Sequence, residues 1–149
     1  MINLEEMYPA KINSIPTTIT GAISSTDTTI FVLDDSRIPE PPNLLVLGEN
    51  SMQAETVKLV VKSGNMLTVE RGFQSAARAW DASTTIARNF TAYDHDTFAD
   101  NISALEAGQQ EHETGEMPHV FLGEDETMYR YGFRTDSEGS LIFMYEEAD

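Results

Sequence analysis

Short apolar runs rich in β-branched residues, separated by turn formers, occupy the first part of the chain. Thr17 to Ile23 and Thr28 to Leu33 are built largely of Thr, Ile and Val and bracket the polar stretch Ser24-Ser25-Thr26-Asp27, the pattern of two strands joined by a turn. Pro39, Pro41 and Pro42 interrupt any regular element, and Leu44 to Leu47 then reads as a short buried strand. Thr56 to Lys62 and Met66 to Arg71 flank Ser63-Gly64-Asn65, a hairpin signal because Gly and Asn tolerate positive φ. Thr84 to Phe90 supplies a last strand. Frequent short strands without helical period predict a small β-barrel or sandwich over residues 13–91, with an arm over 1–12.

The period changes at Asp94. Phe98, Ile102 and Leu105 are spaced four and three apart; as heptad positions d, a and d, they place Gln109 and His112 next on the seam. Asp94 or Asp96 is expected to cap this helix, and Gly115 and Pro118 to stop it, giving a helix over 92–115. The seam is short and turns polar. A lone helix of ~20 residues is marginal in water, so the stripe packs either on the chain's own β-domain or on copies of itself.

Residues 116–149 return to a period of two. His119 to Leu122, Thr127 to Arg134 and Ser140 to Glu146 read as strands, the last pair joined by Asp136-Ser137-Glu138-Gly139. Tyr129, Tyr131 and Phe133 share one face of their strand, as do Leu141, Phe143 and Tyr145. A three-stranded meander of about 30 residues with one apolar face is not stable alone. Its aromatic face needs a cover, supplied by the helix or by a neighbouring subunit. The expected fold class is mainly β with one helix: a small N-terminal β-barrel or sandwich, a connecting α-helix and a C-terminal three-stranded antiparallel meander.

Charge narrows the function classes. The 149 residues carry 9 basic and 25 acidic side chains, a net charge of −16. That surplus argues against nucleic acid, which is held by cations on phosphates, and against anionic membrane surfaces. It suits solubility or a basic protein partner. The absence of cysteine removes disulfides, thiolate catalysis and Cys-ligated zinc. Met1 to Lys11 does not read as a signal peptide, and the longest apolar run, Leu44 to Leu47, is far too short to span a bilayer.

Candidate chemistry is sparse. Asp94-His95-Asp96 has the composition of a charge relay or metal site, but a relay needs a nucleophile and an orienting group converging in space; a helix start with capping carboxylates accounts for it more simply. His112 and His119 are separated by a glycine and a proline and form no rigid ligand set, although three copies of His112 on a trimer axis would form a ring of imidazoles. Arg71-Gly72-Phe73, followed by Gln74 to Trp80, reads as a strand end running into a small-residue loop. Gly72 allows a tight bend there, and Phe73 and Trp80 anchor the loop to the core in preference to Trp80 stacking on a sugar. The acidic end, Glu146, Glu147 and Asp149, reads as a solvated terminus. There is no phosphate loop, serine nucleophile elbow or metalloprotease pattern. No catalytic residue, cofactor or metal is therefore expected.

Two stretches carry a resemblance. Val69-Glu70-Arg71-Gly72-Phe73, continuing through Ala79-Trp80 and Ile86-Ala87-Arg88-Asn89-Phe90 to Thr91-Ala92-Tyr93-Asp94-His95-Asp96, resembles a segment of tailed-bacteriophage structural proteins. In these, a strand ending V-x-R-G-F is followed by a small-residue loop and a strand leading into T-A-Y-D-H-D before a helix. Met117-Pro118-His119, Tyr129-Arg130-Tyr131-Gly132-Phe133 and Tyr145-Glu146-Glu147 resemble a short module of phage tail and fibre proteins of Gram-positive hosts. Together the matches run from about Thr56 to Glu147. The resemblance implies a virion protein of the tail tip, baseplate or fibre attachment, assembled in the host cytoplasm as a symmetric oligomer, with a trimer favoured. Its partners would be other tail or baseplate proteins. It implies no catalytic residues. The chain lacks the distal receptor-binding domain of long fibres, which favours an adaptor over a host-recognition role; a capsid or neck decoration protein and a carbohydrate-binding tail module are the alternatives. The expected oligomer interface comprises Phe98, Ile102, Leu105, Gln109 and His112 on the helix and Tyr129, Tyr131, Phe133, Phe143 and Tyr145 on the meander.

Overall fold

The computed structural model describes residues 2–49 and 51–148; Met1, Asn50 and Asp149, the last belonging to the acidic end, lie outside the described residues. The fold is mainly β with one helix, and the chain divides into two compact units, Glu6–Phe98 and the remainder from Ala99 together with the first five residues.

In the first unit, strands β1 (Thr17–Thr18), β2 (Thr29–Phe31), β3 (Asn43–Leu47), β4 (Glu55–Ser63), β5 (Met66–Glu70) and β6 (Thr85–Ala87) form one six-stranded antiparallel sheet in the order β1-β6-β3-β4-β5-β2. The sheet curls into a half-barrel. Its outer strands are laced together just beyond their ends: Ile19 bridges Val32, Thr20 N donates to Phe31 O at 2.8 Å, and Leu33 N donates to Thr18 O at 2.9 Å. The expected strand from Thr17 to Ile23 is thus realised as a two-residue ladder followed by single bridges at Ile19 and Ile23, the latter to Trp80.

Burial follows the pleat. Glu55, Val57 and Leu59 alternate inward along β4, facing Leu67 and Val69 of β5. A bulge after Leu59 inserts one extra residue, and both Val60 and Val61 then face solvent; a bulge bends the strand and shifts its side chains out of phase. Gly64, at φ +54°, makes the hairpin turn between β4 and β5. Central β3 is buried along nearly its whole length, as a strand covered on both faces should be. Ile19, Ile30, Val32, Leu45, Leu47, Val57, Leu59, Leu67 and Ile86 form a continuous core with almost no exposed area.

Helix α1 (Ala92–Thr114) starts two residues before the expected cap. Thr91 is the cap: its Oγ1 accepts from Asp94 N at 3.3 Å, and the Asp94 carboxylate accepts from Thr91 N at 2.8 Å. The pair forms a reciprocal capping box, so Asp94 sits inside the first turn, and Asp96 lies further along the helix.

In the second unit, β7 (His119–Leu122), β8 (Met128–Thr135) and β9 (Leu141–Glu147) form a three-stranded antiparallel sheet in sequence order. Tyr131 lies opposite Tyr145, and Phe133 opposite Phe143. Asp136 turns the chain between β8 and β9 by accepting from Glu138 N and Ser140 N at 2.9 and 2.8 Å. Gly132 interrupts the large side chains of β8 because the Glu116–Met117 backbone crosses the sheet there, and a Cβ would overlap the Glu116 carbonyl. Gly132→Ala is expected to open this unit alone. Hydrogen exchange should lose protection over residues 119–147 while β3, β4 and β5 retain theirs; unchanged protection would show the close approach to be dispensable.

Candidate functional site

The residues with the most chemical character in the first unit are gathered into two buried ion pairs. Glu55 opens β4 in phase with Val57 and Leu59, so the pleat carries its carboxylate inward and leaves it with no exposed area. Arg71, just past the end of β5, meets it side-on: Nε donates to Oε1 and Nη2 to Oε2, each at 2.9 Å. Gly72 N donates to Oε1 at 3.0 Å, Trp80 Nε1 to Oε2 at 2.9 Å and Arg78 N to Oε2 at 3.3 Å. Gly72 has φ +66°, and this left-handed bend lets its amide turn toward the carboxylate. Burial pushes the Glu55 carboxyl up, but the Arg71 guanidinium, the Trp80 indole N–H and the Gly72 amide outweigh it and hold it below its ordinary value.

Arg71 also binds the chain around it. Its Nη1 donates to Ser24 O and Asp27 O at 2.7 and 2.8 Å, and its Nη2 to Arg78 O at 2.6 Å. One guanidinium therefore fastens the Ser24–Asp27 turn, the end of β5 and the loop leading to Trp80. Trp80 packs partly buried against the core, and its ring lies where a Cβ on Gly48 would stand. The indole is engaged at its edge and on its face, which is the anchoring role expected of it.

The second pair joins Arg88, just after β6, to Asp94 in the first turn of α1. Nη2 and Nη1 reach the two carboxylate oxygens at 2.6 and 2.8 Å. Thr91 donates to the same carboxylate from its backbone N and from its hydroxyl, each at 2.8 Å. Burial raises the Asp94 carboxyl, and Arg88 and Thr91 together bring it below its ordinary value. Arg88 further donates to Pro9 O and Tyr8 O at 3.3 Å, and Tyr93 Oη donates to Glu6 O at 2.9 Å. Residues 6–9 are thereby fastened to their own unit. Phe73 packs edge-on against Tyr93 with ring centroids 5.2 Å apart. Beside this clip, Met7, Tyr8, Phe90, Tyr93, Thr97 and Phe98 line an apolar groove of about 270 Å³.

Asp94, His95 and Asp96 do not converge. Asp94 is spent on Arg88, while His95 and Asp96 stand in solvent, joined only to each other at 3.0 Å. The rings of His112 and His119, for which no rigid ligand set was expected, meet edge to face at 4.9 Å, and His119 lies 5.0 Å from Tyr131. The turn through Gly115 and Pro118 folds the chain back by the amount needed for contact. Among the described residues, no group of three or more His, Asp or Glu side chains could hold a metal ion, and no helix is long and apolar enough to cross a membrane. Phe98, Ile102 and Leu105 are about half exposed, as are Phe133, Phe143 and Tyr145; Tyr129 and Tyr131 are partly covered, and Gln109 and His112 are open.

Sequence reasoning missed Glu55 and Arg88. A signal was present for the first: an acid in phase with core valine and leucine needs a cation, and Arg71 ends the facing strand.

Removing one partner of a buried ion pair leaves the other charged and unpaired, at a cost of roughly 3–5 kcal/mol. Glu55→Gln and Asp94→Asn are each expected to lose stability on that scale in denaturant titrations followed by circular dichroism. Both carboxyls titrate lower in the folded chain than in the unfolded one. Their contribution is therefore present above the unfolded values, about pH 4, and vanishes as pH falls through the folded values. The melting temperature of the native chain should exceed that of the Glu55→Gln, Asp94→Asn double variant at pH 7, and the gap should narrow below about pH 4. A gap independent of pH would remove the ionic account. Comparison with family models and with curated proteins finds no match for this chain.

Proposed function

We propose that the protein is a non-enzymatic structural component of a tailed-phage virion, an adaptor or fibre-attachment element at the tail tip or baseplate. The observation that carries this reading is the apolar surface left open on the second unit, where Phe133, Phe143, Tyr145 and Leu141 are each more than half exposed. Isolated exposed apolar residues are ordinary, but a contiguous aromatic face marks a contact with another chain.

The fate of the phage-like motif residues supports the same reading. Arg71 and Gly72 of the V-E-R-G-F stretch close on Glu55, and Thr91 and Asp94 of the T-A-Y-D-H-D stretch close on Arg88. What the resemblance shares is thus the means of fixing a strand end and a helix start, which a scaffold needs. Trp80, the most plausible sugar platform by residue type, is committed to the core and to Glu55, which weighs against carbohydrate binding at that position. In this reading, the half-barrel docks on the tail and the aromatic sheet receives a neighbour.

Mass spectrometry of virions purified from the phage whose genome encodes the chain should find it in stoichiometric amounts, and antibodies raised against it should label the tail end. Absence from purified particles, or labelling of the capsid, would overturn the assignment.

A further inference from the structure

The turn between β7 and β8 sets carboxylates beside rings. Gly123, Glu124 and Asp125 follow the end of β7, and with Phe121 of β7, Tyr129 of β8 and Tyr145 of β9 they line an open pocket of about 310 Å³. Phe121 stacks on Tyr129 with ring centroids 5.4 Å apart, while the Tyr145 ring stands at 67° to Tyr129 at 6.0 Å, so the rings make a corner. A Cβ on Gly123 would lie 2.5 Å from Asp125 Oδ1 and 2.8 Å from the Tyr129 ring; glycine keeps this side of the pocket clear. We propose that the pocket receives a lysine side chain of a neighbouring protein of different sequence, its stem against the rings and its ammonium at Asp125 and Glu124. The proposal rests on the structural role given above.

Lysine joins an apolar stem to a charged head, and ring faces attract cations. The Asp125 carboxylate is fixed in place by Tyr129 Oη, which donates to Oδ2 at 2.9 Å, and by Thr127 N, which donates to Oδ1 at 3.1 Å. The same two donors hold it below its ordinary value, and it is therefore charged at neutral pH. Glu124 is exposed, and Glu147 lies opposite Tyr129. The ion pairs among the described residues involve none of these three acids. The first unit shows such a site filled: Lys58 Nζ lies 5.4 Å from the centre of the Tyr8 ring and 3.7 Å from the Glu6 carboxylate.

The lining chemistry selects against other occupants. A carboxylate accepts hydrogen bonds and donates none, and the Tyr129 hydroxyl hydrogen is given to Asp125, so Tyr145 Oη is the one side-chain donor left to the pocket. A sugar, which needs donors and acceptors together, is poorly served there. Each Asp125 oxygen already accepts one bond, which favours the compact lysine head over the two-pronged guanidinium of arginine. A second copy approaching this surface brings a net charge of −16 with it; a basic protein is drawn to it instead.

Titration of the full chain with n-butylammonium, which carries the head and stem of lysine, should shift the NMR signals of Phe121, Glu124, Asp125, Tyr129 and Tyr145 saturably. The dissociation constant should be on the order of 10 mM, the strength of a few open ring contacts. Glu124→Gln, at an exposed position, and Tyr145→Ala should each weaken binding at least about twofold with circular dichroism unchanged, whereas Glu138→Gln, in the turn between β8 and β9, should leave it as it was. Equal shifts from n-butanol or methyl glucoside, tighter binding of n-propylguanidinium, or full binding in both pocket variants would overturn the proposal. In purified virions, carbodiimide should couple Glu124 or Asp125 to a lysine of another protein; coupling only to copies of this chain, or none, would overturn the choice of partner. A chain present in virions that ignores butylammonium would refute the pocket and leave the structural role intact; a chain that binds it but is absent from virions would do the reverse.

Discussion

Glu55 brings a charge to a position that the strand period assigns to the core, and five hydrogen bonds from Arg71, Gly72, Arg78 and Trp80 meet it there. A carboxylate removed from water is tolerable only when its lone pairs are filled. Because the donors come from the end of β5 and from the loop that follows, filling them fixes the path of that loop. Arg71 then reaches the Ser24–Asp27 turn, far away in sequence. The half-barrel's apolar core would tolerate many loop arrangements; the polar node at its edge selects one. The Arg88–Asp94 pair does the same for the start of α1 and the segment through Tyr8 and Pro9.

Much of the fold was legible from pattern alone. The β4–β5 hairpin around Gly64, the heptad-like spacing of Phe98, Ile102 and Leu105, and the alternation of Tyr129, Tyr131 and Phe133 all lie where the residue spacing puts them. These are local signals, set by side-chain period and by turn chemistry. What escaped was non-local. The bulge at Val60 has no composition signature, since a valine pair reads as ordinary strand. Aspartate is a good helix cap and the residue spacing points to one, yet Thr91 takes that place and Asp94 is drawn inward by Arg88, just past the end of β6. Candidate chemistry at Asp94 was legible as residue type; its commitment to Arg88 needed the third dimension.

The same limit applies to the histidines. His112 and His119 are separated by helix-breaking residues, from which no fixed spacing between them follows, and the reversal through Gly115 and Pro118 returns the chain onto the helix end. Breakers end an element without saying where the chain goes next. The need for a cover on the aromatic face, from the helix or from a neighbour, is by contrast legible from the size of a three-stranded sheet, and Phe133, Phe143 and Tyr145 remain about half exposed.

The two sheets treat their margins differently. In the first, the Ile19–Val32 bridge and the hydrogen bonds beside it tie the outermost strands to each other, which shortens the free edge on which a foreign strand could pair among the described residues. In the second, β7 and β9 bear neither proline nor lysine, the usual guards against lateral growth. Long-range repulsion from the acidic surface is then the main brake on runaway stacking, and mobile ions weaken it beyond a distance of about 8 Å at physiological ionic strength. Whether the molecule stays dispersed or polymerises should accordingly follow the salinity of its surroundings more than its temperature.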